Sequence, residues 1–238
     1  MRPVSHALVH RRLAALASPA HAETAQWFFK TGPGAYGEGD RFLGIRVPVL
    51  RALVREYAAM PLPAVSRLLQ SRWHEERLLA VLMLVRLYDR GSAEARAAIF
   101  SLYLDSLRWI NNWDIVDASA PHIVGRHLAG RGRATLMRLA RSGHLWSRRV
   151  AVVATQHDIR KGDFGDILAL APLLLTDEHD LIHKAIGWML REVGDRDRAV
   201  LEEFLAEHAS KMPRTMLRYA IEKLPPSHRK RHMKTVPA

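Results

Sequence analysis

The stretch HKAIGWMLREV, residues 183–193, decides the fold. Ile186, Met189, Leu190 and Val193 fall at i, i+3, i+4 and i+7, which is one apolar stripe of an α-helix. The same pattern recurs in VPVLRALVREY, EERLLAVLMLVRLY, WSRRVAVVAT and RTMLRYAIEKL. No stretch alternates in the manner of a strand, and no Asn-Gly or Asp-Gly turn sits between alternating apolar residues. The breaks are short and polar: DRGSAE, AGRGRA, RSGH, RKGD and VGDRD. The expected fold class is all-α.

Aligning these helices on one basic position brings out a repeat. Arg77, Arg149, Lys184 and Arg218 fall in one phase, with spacings of 72, 35 and 34 residues. Halving the first interval puts a missing marker at position 113, which is Trp113. A period of about 34–36 residues suits stacked helix pairs. The expectation is a single-domain α-solenoid of HEAT-like repeats over residues 1–225, followed by a basic, flexible tail over 226–238. If the second helix of each pair lines the inner surface, Arg77, Arg149, Lys184 and Arg218 form a stripe on a concave basic face. The plain alternative is four ordinary solvated charges.

Composition narrows the partners. The 238 residues carry 36 Lys and Arg against 24 Asp and Glu, a formal net charge of +12. Such a balance attracts DNA, RNA or an anionic membrane. With no cysteine, disulfides, thiolate zinc sites, iron–sulfur clusters and a cysteine nucleophile are excluded. The apolar run ILALAPLLL (167–175) is too short to span a bilayer and contains Pro172. The N-terminal residues mix His and Arg through the apolar positions and lack a signal-peptide core. A cytoplasmic protein is expected, with no membrane contact, no obligate protein partner and a monomeric state.

Against this basic background NNWDIVDASAP (111–121) stands out. Asn112 suits a helix N-cap and Asp114 a first-turn acid that complements the helix dipole. Asp117 lies one turn beyond Trp113 and shares its face. Four residues after each repeat marker stand Val81, Asp117, Val153, Trp188 and Glu222, so Asp117 and Trp188 occupy equivalent sites. Trp113, Asp117, Trp188 and Arg149 are therefore expected to converge on the groove. Core packing of the two tryptophans, and a salt bridge from Asp117 to Arg149, are the competing structural readings.

Other signals are weaker. KTGPGAYGEGDRFLG (30–44) holds five of the 14 glycines but lacks the G-K-[ST] ending of a phosphate loop and follows a helix. It is expected to be an irregular connection, structural or in contact with DNA. His179 and His183, with Asp180 between, have a spacing that could hold a metal but no third ligand, so neither a metal nor a cofactor is expected.

The chain resembles the AlkD-type DNA alkylation-repair glycosylases, built from HEAT-like repeats. The resemblance rests on five ordered blocks: WFFKTGPGAYGEGDRFLGIRVP (27–48), NNWDIVDASAPHIVG (111–125), LWSRRVAVVAT (145–155), HKAIGWMLREVG (183–194) and MPRTMLRYAIEKLP (212–225). It implies excision of cationic N3- or N7-alkylated purines from double-stranded DNA. It also implies a catalytic role for Asp117, packing of Trp113 and Trp188 against the lesion-bearing nucleotide, and a DNA-backbone contact by Arg149. Trp27 falls near an aromatic DNA contact that is Tyr in some members. Asn112 stands where some relatives carry a further Trp. Lys184 is the lysine nearest Asp117 in the repeat alignment, and it is expected to bind DNA rather than form a Schiff base, which makes the enzyme monofunctional. The alternative from another class is a non-catalytic HEAT-like module that binds damaged or branched nucleic acid.

Overall fold

A computed structural model of the chain describes residues 4–131 and 133–234. Among these residues the protein is all-helical. The sole β-like pairing among them is an isolated bridge between Arg41 and Trp73. The chain divides into two compact units, residues 1–119 and 120–238.

The first unit holds α1 (His6–Ala15), α2 (Pro19–Phe28), α3 (Val47–Glu56), α4 (Leu62–Leu69), α5 (His74–Arg90), α6 (Ala93–Asp105) and α7 (Trp113–Asp117). Proline opens α2, α3 and α4, where its missing N–H costs nothing and its fixed φ favours the first turn. Ser92 caps α6 by accepting from the Ala95 amide. The centre of the unit is α5, which packs on α3, α4, α6 and α7. Leu79, Ala80, Val81 and Leu84 are fully buried although they spread around the helix, as a helix enclosed by neighbours requires.

The second unit holds a π-helical turn (Pro121–Gly125), α8 (Arg126–Leu128), α9 (Ala134–Ala140), α10 (Leu145–Ala154), α11 (Gln156–Ile159), α12 (Gly165–Leu170), α13 (Asp180–Gly194), α14 (Arg198–His208), α15 (Arg214–Ala220) and α16 (Pro226–Met233). Here the centre is α13, against α10, α12, α14 and α15. A Cβ at Gly187 would lie 2.5 Å from the Met216 carbonyl and from the Tyr219 Cβ, so glycine is what lets α13 and α15 approach this closely. Four of the five repeat markers fall in the first two turns of α5, α10, α13 and α15, and Trp113 opens α7. The marker spacing thus coincides with helix starts.

The segment expected as a flexible tail is in large part α16. Pro226 starts this helix rather than breaking one. His232 is buried, and its Nε2 pairs with Glu202 of α14 at 2.8 Å, while His228 and Arg231 reach the same carboxylate at 2.7 and 2.9 Å. Residues 235–238 lie outside the described residues.

Candidate active site

Trp113 and Asp117 stand on α7, a helix of only five residues. So short an element has no stability of its own, and its position is set by what holds its two ends. At the N-terminal end Asn112 is buried and caps the helix, its Oδ1 accepting from the Trp113 amide at 2.8 Å. Asp114 accepts from the Ile115 amide through Oδ1, as a first-turn acid should. Its other oxygen, Oδ2, lies 2.8 Å from His74 Nε2.

At the C-terminal end the fully buried Tyr103 shares a hydrogen bond of 2.8 Å with Ser119, whose hydroxyl donates to the Ile115 carbonyl at 2.6 Å. Burial is the largest influence on the Tyr103 hydroxyl and, with the negative charge of Asp117, pushes its pKa up against the Ser119 hydrogen bond. The phenol stays a neutral donor. Asp117, half-buried, sits between these two anchors.

Beneath α7 runs a polar chain that sequence reasoning did not find. Arg77, expected on a DNA-facing stripe, is only 3% exposed. Its Nη2 pairs with Asp40 and its Nη1 donates to the Ser71 carbonyl. Asp40 also pairs with His74 Nδ1 at 3.0 Å and accepts from Asn112 at 3.4 Å. The order is Arg77, Asp40, His74, Asp114. For Asp40, burial alone would raise the pKa, but the hydrogen bond from His74 and the charge of Arg77 outweigh it and hold the carboxyl below its usual range. For His74, burial alone would lower the pKa, but Asp114 and then Asp40 outweigh it and raise the imidazole to about 9.

The Gly-rich segment supplies Asp40 and also does something a phosphate loop would do, with an internal anion. The amides of Leu43, Gly44 and Ile45 donate to the buried Glu75 carboxylate at 2.8, 2.7 and 3.2 Å. Neighbouring Glu76 pairs with His10 at 2.5 Å, which ties α1 to α5. Four consecutive residues, His74 to Arg77, are thus all buried and all engaged.

Aromatic rings form the rest of the surroundings of Trp113. Phe29 lies against Trp113 with centroids 5.3 Å apart, and Phe28 meets it edge-on at 5.9 Å. Phe28 is 54% exposed and Trp27 is 82% exposed, so the end of α2 presents two large aromatic rings to solvent. That degree of exposure suits a ring that contacts a partner better than one that packs the core.

In the second unit Trp188 is half-buried, and its indole N–H donates to Glu192 at 3.2 Å. Arg149, expected to touch the DNA backbone, is 5% exposed, with Nη1 donating to the Leu181 carbonyl at 2.6 Å. Its guanidinium joins α10 to α13. Lys184 stays half-buried and pairs with Asp180 at 2.7 Å, and Arg218 is exposed. Both line an open cleft of about 640 Å³ with Arg191, which pairs with Glu222. Of the four marker cations, two face inward and two face outward. The two histidines weighed as metal ligands have backbone roles: His179 caps α13 by accepting from the Leu181 amide, and His183 donates to the Asp177 carbonyl.

The comparisons with known proteins agree with this architecture. Residues 9–224 match the family described as DNA alkylation repair enzyme. A solved structure, a predicted DNA alkylation repair enzyme from Enterococcus faecalis, superposes with a TM-score of 0.67 at 21% identity, covering 88% of this chain and 97% of that one. At that identity the likeness is one of fold. No curated protein sequence matches. The match over residues 9–224 decides the matter: the chain belongs to the DNA alkylation repair enzyme family, with DNA as its substrate and DNA repair as its role.

Proposed function

We propose that the protein is a monofunctional DNA glycosylase that hydrolyses the N-glycosidic bond of cationic N3- or N7-alkylated purines in duplex DNA. The observation that carries this reading is a carboxylate, Asp117, one turn from Trp113 on a short helix anchored at both ends, in a +12 protein of the DNA alkylation repair family. A carboxylate repels phosphate, so a module that only binds DNA gains nothing from it there.

Alkylation at N3 or N7 makes the purine cationic, and therefore a good leaving group without protonation. The general acid of the usual glycosidase pair becomes unnecessary. As the C1′–N bond breaks, its electron pair neutralises the purine and positive charge develops on the deoxyribose. Asp117 stabilises that charge where it forms, which lowers the barrier rather than merely tightening binding. Water supplies the oxygen for the new C1′–O bond and loses a proton to Asp117 or to solvent. The face of Trp113 stabilises the cationic sugar and base by about 0.5–2 kcal/mol, and the same reading gives Trp188 the same role. Lys184 and Arg218 take phosphate contacts, and Trp27 a contact to the duplex.

The test is base release from a duplex carrying one N7-methylguanine, with the parent and Asp117→Asn measured side by side. Release by the parent and not by the variant, with DNA affinity retained or raised, is the expected result. Salt-dependent binding by both without release establishes a non-catalytic damage-binding module instead.

A further inference from the structure

His74 reaches the helix of Trp113 and Asp117 by two routes. One is the 2.8 Å contact of Nε2 with Asp114, whose second oxygen accepts from the Ile115 amide in the first turn of α7. The other is aromatic. The imidazole packs against both Phe42, at 4.5 Å, and Phe29, at 4.9 Å, two rings that also stack on each other, and Phe29 in turn lies against Trp113.

The hydrogen-bond pattern sets the charge of the ring. Nδ1 and Nε2 each face a carboxylate oxygen, of Asp40 and Asp114. Two ionised carboxylates accept only, so both ring nitrogens must carry hydrogen. The remaining groups agree. Arg77 and Asn112 donate to Asp40 and keep it anionic. Glu75 on the same helix is turned to the amides of residues 43–45 and Glu76 to His10. Arg77, Asp40, His74 and Asp114 then sum to zero, whereas a neutral imidazole leaves one unbalanced buried negative charge.

We infer that His74 is a positioning residue for the site: as an imidazolium clamped between Asp40 and Asp114, it fixes the first turn of α7 and thereby the placement of Trp113 and Asp117. The inference rests on the glycosylase reading for its catalytic consequence and on geometry alone for its structural one, so the two fail separately. It makes Asp114 more than a dipole partner, since that side chain joins the clamp to the helix.

The experiment compares the parent, His74→Gln and Asp114→Asn, the last at a partly exposed position that tolerates change more readily. Single-turnover base release from the N7-methylguanine duplex is followed from pH 6 to 9.5, with the spontaneous rate subtracted. Both variants should release base at least about tenfold more slowly at neutral pH, because a small misplacement of a catalytic group is enough for that. Their DNA affinity should stay within about twofold of the parent. The parent alone should lose rate as pH rises through the His74 titration. In parallel, the Trp113 indole N–H resonance, assigned through Trp113→Phe, should follow that titration in the parent and not in His74→Gln. Parent-like rate and pH profile in both variants overturns the inference. If the parent releases no base the glycosylase reading falls, and the indole resonance still decides: a signal blind to His74 titration and to Asp114→Asn overturns the clamp.

Discussion

The first turns of α5 and α13 occupy the same phase of the helical repeat and do opposite things. In α5 the residues His74, Glu75, Glu76 and Arg77 are all buried and all paired within the first unit, His74 and Arg77 sharing Asp40. In α13 the counterpart of Arg77 is Lys184, half-buried and joined to Asp180 in an i,i+4 pair at the surface. What precedes each helix accounts for the difference. The Gly-rich segment lies over the start of α5 and brings Asp40 and three backbone amides to it. The start of α13 receives His179, Asp177 and the Arg149 guanidinium at its backbone. A repeat phase fixes which helix and which turn a cation stands on. Whether it meets solvent is decided by its non-repeating cover.

The largest test of that contrast is a matched pair. Arg77→Met should lower unfolding free energy by about 3–5 kcal/mol, since it leaves Asp40 as a buried charge with only His74 and Asn112 beside it. Lys184→Met should change stability by less than about 0.5 kcal/mol, as exposed i,i+4 pairs do. Urea midpoints read both, and equal losses would erase the distinction between the two helices.

Glycine chemistry sharpens it next. Gly44 has φ +77°, and a Cβ there would lie 2.2 Å from the Ser18 carbonyl. Gly34 has φ +73° with open space around it. Gly44→Ala should therefore cost more than about 2 kcal/mol, through strain, backbone clash and loss of the Glu75 cradle, and Gly34→Ala about 1 kcal/mol. Similar losses at both sites would mean that the cover over α5 is not held in the way the cradle implies.

The two units should also respond to opposite ends of the pH scale. The pKa of His74 is raised from 6.5 to about 9, so its contribution is complete below 6.5 and disappears as pH rises through 9. For Glu202, burial alone would raise the pKa, but His232, His228 and Arg231 outweigh it and depress the carboxyl from 4.5 to about 2. Its contribution is present above 4.5 and disappears as pH falls through 2. Each is at most about 3 kcal/mol. Unfolding free energy measured between pH 2 and 10 should lose its alkaline fall in His74→Gln and part of its acid fall in Glu202→Gln. If either variant keeps the parent curve, that group is not the sensor.

Much of this was legible in residues alone. Apolar spacing placed every repeat marker on or beside a helix start, and Asn112 and Asp114 took the capping roles their types and positions demand. The hub under α7 was not legible, because Asp40, His74 and Asp114 are 34 and 40 residues apart in sequence and belong to three different elements. The one available signal was HEER itself, four titratable residues in a row where a helix is about to bury its whole circumference. Arg77 and Arg149 were misplaced for a related reason: periodicity gives a face, and both faces of a helix enclosed by neighbours are interior. The expected flexible tail is largely helical because Pro226 stands at a helix start, where proline is favoured.

The smallest effects concern the cations and ring that remain outside. Lys184→Ala and Arg218→Ala should each reduce the slope of log affinity against log salt by about 1 if they neutralise phosphate, with stability nearly unchanged. Trp27, 82% exposed, should be removable without thermal cost, and Trp27→Ala should weaken duplex binding by about 1–3 kcal/mol at unchanged salt slope if a base stacks on it. The same titration on Arg77→Met should leave the salt slope at its parent value once the folded fraction is accounted for, because a cation sealed under Asp40 releases no counterion from DNA. A slope lowered by Arg77→Met and untouched by Lys184→Ala would reverse the assignment of the two helices: the buried network would then open on DNA, and the surface pair at the start of α13 would be the structural one.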